Sequence, residues 1–377
     1  MLASFFDRDT RPQAAIQTTP WGDWSGSSSG TYAGTAVSVS NATNLLTVYG
    51  CNRFICDGIS TLPVDELRDT SNGPIEVPKA GWLKQPTPDL DFTAWSTQII
   101  TSWLLAGNAY VVPEYDGASL RAVHPLDPTA VTVRRERGRK VFDVNGKTYT
   151  SAQVRHSPGV MFPGSDVGMS PVGAAMQMIG SGMAAEEFAG RQFGQGLTLA
   201  GVIEVPGELT APKAREMALA WAAKHGGKSK TGLPGVLQGG AQWKPTGVTN
   251  EQAQFLETRG FTASQIAAEM FLIDPAEMGL PVNGTSLTYA NLEQRNARKV
   301  QVTFLPWIVR LEQLINSLLP APRYVKLNVN ALLRGDTKTR FDAYRVALGP
   351  NVPFMEANEA RHLEDWGDLP ETQEPTP

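Results

Sequence analysis

Apolar residues recur at spacings of three and four from about Asn44 to Ser60. Val48, Cys51, Phe54, Ile55 and Ile59 line one face of a predicted helix there, and Pro63 closes it. A second helix is expected after Pro88, with Asp89 or Asp91 as its cap. Trp95, Ile99, Trp103 and Leu104 form its buried face, and Gly107 ends it. The period then changes. Residues 109–162 hold short β-prone runs at 109–112, 120–123, 131–133, 140–144 and 148–149, separated by Asp116-Gly117, Arg137-Gly138 and Asn145-Gly146. Asn145-Gly146 is the strongest hairpin signal, because a tight two-residue turn needs positive φ at both positions.

Helical spacing returns at Ser170-Pro171, with proline at the permitted first turn, and runs through Met176, Ile179, Met183 and Phe188 to about Phe193. A strand at 199–205, a helix at 211–224 and a short strand at 235–237 follow. Thr249 or Asn250 caps the next helix, and the pattern resumes at Thr262 with Gln265 in the capping-box position. Residues 279–287 are too rich in glycine and proline to be helical. A helix of about 45 Å is predicted from Thr288 to Leu319. Pro306 lies inside it and predicts a kink, since its ring displaces the carbonyl four residues back and it donates no hydrogen bond. A strand at 324–329 and a helical, then Pro/Glu/Thr-rich, tail complete the chain.

Composition adjusts this picture in few places. The 377 residues are 41% hydrophobic and carry a formal charge of −4, which supports a real core and argues against tight multi-phosphate binding. Passage of a nucleic acid is compatible with that charge. Cys51 and Cys56 match neither a zinc nor a redox spacing and read as buried thiols in a reducing compartment. No secretory leader and no run of about 18 apolar residues is visible. The first 36 residues, with Gly26-Ser27-Ser28-Ser29-Gly30 between Trp21, Trp24 and Tyr32, read as a flexible arm or one held by a neighbour.

Candidate enzymatic chemistry is thin. The Gly26–Gly30 stretch satisfies G-x-S-x-G, but a nucleophile elbow needs a strand before it and a helix after it. Gly227-Lys228-Ser229 resembles the end of a phosphate loop, yet a helix precedes it and Ala222 stands where the first glycine belongs. His124, His156, His225 and His362 are scattered without an obvious carboxylate partner, and Glu186-Glu187 read as a solvated face. No cofactor or metal is expected.

Seven ordered segments carry a resemblance. Gly107-Asn108-Ala109-Tyr110 is similar to a G-N-[AS]-Y element, and Gly168-Met169-Ser170-Pro171 to a G-x-S-P helix start. Phe193-Gly194-Gln195-Gly196 with Gly201-Val202-Ile203, and Leu237-Gln238-Gly239-Gly240-Ala241-Gln242-Trp243, resemble the entrance and exit of a small insert. Gln254-Phe255-Leu256-Glu257-Thr258-Arg259 with Ile266-Ala267, Phe304-Leu305-Pro306 with Glu312, and Asn358-Glu359-Ala360-Arg361 complete the set. Together they resemble the portal proteins of long-tailed bacteriophages. Ile273-Asp274-Pro275 departs from that family's usual V-P, and the C-terminal part is short.

The resemblance implies a non-enzymatic α+β subunit of a ring, usually twelve copies, at one capsid vertex. It divides the chain into an arm (1–36), wing (37–168), first stem helix (169–195), clip (196–248) and second stem helix (249–274). A tunnel loop (275–287), a kinked helix with returning wing strand (288–335), and a short crown with tail (336–377) follow. Its implied partners are double-stranded DNA bound without sequence preference, the terminase large subunit, a head-tail adaptor, and the major capsid and scaffolding proteins. Its implied locations are the virion and, during assembly, the host cytoplasm.

Within that frame, Val282, Asn283, Gly284, Thr285, Ser286 and Leu287 are the expected channel contacts, with few charges to hold phosphate. Lys224, Lys228 and Lys230 form the best basic cluster, facing DNA, motor or adaptor, or simply solvating a turn. Met176, Ile179 and Met183 opposite Phe255, Ile266 and Met270 either meet a neighbouring subunit or pack inside one chain. The competing functions are a hydrolase or nucleotide-using enzyme with a composite site, and another structural ring such as a head-completion adaptor.

Overall fold

A computed structural model describes residues 29–195, 202–204, 210–225, 242–244, 259–280, 295–329, 337–349, 355–364 and 366–369. The fold is α+β, and every strand pairing among the described residues is antiparallel. Ser29–Gly30 (β1) pairs with Ala36–Val37 (β2), so the end of the expected arm is a small hairpin. It is held where Tyr32 N donates to Gln177 Oε1. Residues 1–28 of that arm lie outside the described residues.

Two helices form the centre: α1, Leu46–Ser60, and α2, Phe92–Ala106. Asp91, rather than Asp89, caps α2 by accepting from Ala94 N at 2.7 Å. Trp95, Ile99, Trp103 and Leu104 are buried as their spacing requires. The α1 face packs on Phe304, whose ring lies 5.8 Å from that of Phe54 and so close over Gly58 that a Cβ there would meet it at 2.6 Å.

Three three-stranded sheets are present among the described residues. Val64–Thr70 (β3) lies between Gly73–Glu76 (β4) and a late strand, Arg323–Leu327. Asn108–Asp116 (β5) lies between Ser119–Leu126 (β6) and Arg155–Pro158 (β10). Val131–Glu136 (β7), Arg139–Val144 (β8) and Lys147–Thr150 (β9) form a meander. Its turns sit at Arg137-Gly138 and Asn145-Gly146, where all four residues have positive φ as type I′ turns demand. Strands β3, β4 and β10 were not marked by the sequence pattern.

Ser170 caps a turn at Pro171–Ala174, accepting from Gly173 N, and α3 runs from Met176 to Gln195. Val202–Glu204 (β11) pairs with Gln242–Lys244 (β12), and Ala211–His225 is α4. The strand expected at 235–237 and the cap at Thr249 or Asn250 lie outside the described residues. Residues 259–265 are helical (α5) and pass into a π turn at Ile266–Met270. Thr262 is therefore inside a helix and does not start one. Ile179 and Ile266 are both sealed in the chain's own core, with Met176, Met183 and Met270 packed against it. In-chain packing therefore accounts for these stripes; Phe255 lies outside the described residues.

The long helix is described from 295, with a π turn at Lys299–Phe304 leading into α6, Leu305–Asn316. Pro306 stands in the first turn of α6. A change of helix type therefore stands just before the proline at which a kink is expected, and the wider π turn accommodates the donor-less residue. The returning strand Arg323–Leu327 (β13) pairs with β3, and α7 (Thr337–Ala347) and α8 (Ala357–Leu363) follow.

Candidate functional site

Two joints frame the segments that carry the resemblance. At the first, α2 ends on Gly107 at φ 72°, a left-handed conformation. Glycine is required there twice over, since a Cβ would lie 1.8 Å from Met169 O. Asn108 is buried and bonds outward with both ends of its amide. Its Nδ2 donates to Ala106 O (3.1 Å) and Gly168 O (2.9 Å), while Oδ1 accepts from Gly168 N (2.6 Å). Ser170 Oγ donates to Leu105 O at 2.9 Å while capping the next helix. Two motifs 60 residues apart in sequence are thus one hydrogen-bonded joint.

His156 completes it. Its Nε2 lies 3.0 Å from Asn108 Oδ1, and that oxygen can only accept, so Nε2 carries the proton. The ring stacks on Tyr110 at 4.6 Å, and burial, reinforced by Lys140, pushes its pKa down to about 3. A neutral, fixed imidazole is structural here. His124 differs from expectation: β5 and β6 bring Glu114 Oε2 to 2.9 Å from its Nε2.

The second joint brackets residues 281–294. Leu272 takes φ 54°, and its carbonyl accepts from Thr303 Oγ1. Asp274 caps the turn Pro275–Met278 through Ala276 N and forms an ion pair with Arg295 at 2.8 Å. Although partial burial opposes it, that cap and ion pair hold the Asp274 carboxyl below the ordinary aspartate range. Glu277 pairs with Lys299 at 2.6 Å, and Lys299 also sits 5.7 Å over the Phe54 ring. A cavity of about 300 Å³ lies between these segments. Sequence reasoning marked Asp274 as a departure from a pattern; what it missed was the partner, 21 residues on, that the aspartate holds.

Val282, Asn283, Gly284, Thr285, Ser286 and Leu287 lie outside the described residues, as do Lys228 and Lys230; Lys224 falls in the last turn of α4. Among the described residues no group of three His, Cys, Asp or Glu could hold a metal, and no helix is long and apolar enough to cross a membrane.

The sequence profile described as phage portal protein matches residues 46–365, which include both joints. The chain belongs to that family. Its function is that of a capsid portal, structural rather than enzymatic. A probable portal protein of Streptomyces phage phiC31 is 29% identical over 90% of this chain and 78% of its own length. The portal protein of Enterobacteria phage HK97 is 27% identical over 86% of this chain and 79% of its own. Among solved structures, the neck of an empty gene transfer agent particle aligns with a TM-score of 0.60 at 20% identity, covering 87% of this chain and 94% of that one. An HK97-family phage portal protein from Corynebacterium diphtheriae aligns with a TM-score of 0.57 at 14% identity, covering 78% and 96%.

Proposed function

We propose that the portal is a homo-oligomeric ring, of twelve copies, through which double-stranded DNA is packaged and later ejected. Family membership supports this, and gene transfer agent necks of similar fold have been computed with C6 and C12 symmetry. Residues 37–168 with β13 form the wing, 169–195 and 249–274 the stem, 196–248 the clip, 275–287 the tunnel loop and 336–377 the crown. The ring guides DNA and leaves the work to a separate terminase motor. A head-tail adaptor and the capsid and scaffolding proteins surround it, and it assembles in the host cytoplasm.

The observation that carries the conduit reading is the charge pairing beside the tunnel loop. Arg295 and Lys299 follow it in sequence, and each is matched by a carboxylate at or just before its start, Asp274 or Glu277. Cations so paired release few counterions to a passing phosphate, so DNA slides past with little holding force. Val282 to Leu287 then make polar or apolar contact with the duplex.

An in vitro packaging assay tests this. Replacing 282–287 by a glycine–serine stretch should lower DNA retention or packaging efficiency while rings persist; unchanged packaging refutes the loop's role. Neutralising Lys224, Lys228 and Lys230 should give a salt-dependent defect, and a salt-insensitive one refutes a phosphate contact there.

A further inference from the structure

An open cavity of about 750 Å³ forms a groove between β10 and α6. One wall is Arg155 to Gly159, and the other presents Leu305, Val309, Arg310 and Gln313. Leu305 and Val309, one helical turn apart, are 40% and 39% exposed. The chain leaving β10 continues with Val160, Met161 and Phe162, all exposed as well. Exposed apolar side chains in the wall of a cleft, here Leu305 and Val309, are the signature of an unfilled interface.

The polar groups of the groove say what would fill it. Arg155 donates from Nη1 to Ser151 O at 2.7 Å, but its Nε is buried without a hydrogen-bond partner among the described residues. Arg310 lies 5.1 Å over the Trp307 ring and donates to Pro306 O at 2.8 Å. Neither guanidinium forms an ion pair among the described residues, and no carboxylate lines the groove. Arg310, in the groove wall without an ion-pair partner among the described residues, favours an occupant that brings an acceptor as well as apolar surface.

We infer that this groove is one half of the contact between adjacent copies in the ring, the neighbour supplying apolar side chains and a carboxylate. The inference rests on the ring proposed above. A ring closes by head-to-tail contact, in which a groove on one copy receives a different surface of the next. An acid-free groove with two arginines fits that role and not a self-complementary one, since two copies meeting groove to groove would oppose like charges.

The test uses the full chain assembled as rings. A photo-crosslinking amino acid at position 309, in rings mixed from isotopically light and heavy chains, should yield crosslinked peptides containing one chain of each kind. Exclusively within-chain crosslinks overturn the inference. In parallel, Val309→Asp should reduce the ring fraction at least tenfold by mass photometry, with the circular dichroism spectrum unchanged. Val309→Ile should leave rings intact. If Val309→Asp also damages the fold, the crosslink decides alone. Intact Val309→Asp rings refute the docking groove but leave the ring reading standing, whereas wild-type chains that form no rings refute both.

Discussion

Replacing Asn108 by alanine removes the clasp between α2 and the start of the next helix. The side chain makes four hydrogen bonds, to Ala106 O, to both main-chain groups of Gly168, and to His156 Nε2. A net contribution of about 1 kcal/mol for each, plus at least about 1 kcal/mol for stranding the buried Gly168 amide, gives a loss of about 5 kcal/mol or more. Urea unfolding should show this as a lower midpoint at an unchanged slope. Hydrogen exchange supplies the local readout: the Gly168 amide should lose protection in the variant while amides in β7 and β8 keep theirs. A loss under about 1 kcal/mol, or full Gly168 protection, would show that the joint is held by something other than Asn108.

The other expectations concern single groups near the same core. The His156 pKa is about 3 in the fold against an ordinary 6.5, so the unfolded chain binds the extra proton first and its stabilising share is complete only above 6.5. Stability should fall by about 2 kcal/mol between pH 6.5 and 5, and His156→Phe should flatten that slope in pH-dependent unfolding; an unchanged slope would rule the histidine out. Gly107→Ala places a Cβ on Met169 O at a positive φ and should cost about 4 kcal/mol or more, read as a collapse of the melting temperature. Burial pushes the thiols of Cys51 and Cys56 up to about 12 and about 11, so a thiol reagent at pH 8 should label them only after unfolding; rapid labelling of the native chain would contradict their burial.

Where the sequence was legible, a single physical rule dominated. Helix α2 was bounded by an aspartate cap and a glycine stop, and the β7–β8–β9 meander by turn residues that tolerate positive φ. Strand β3 was illegible because a charged residue occupies one of its core-facing positions: Glu66 is fully buried, accepting from Ala80 N and facing Arg323, a residue more than 250 positions away. The helix change before Pro306 was half legible, since proline announces a disturbance but not whether the chain bends or widens. The first joint was visible only as two separate motifs, because spacing cannot say that Asn108 and Gly168 meet. Asp274 looked like an anomaly and proved to be a cap and an ion-pair partner.

Single-particle imaging of the purified full-length chain tests the central claim most directly. Closed rings with an open central channel, twelve-fold in end views, are the predicted result. Uniform monomers at high protein concentration, with no ring classes, would contradict it.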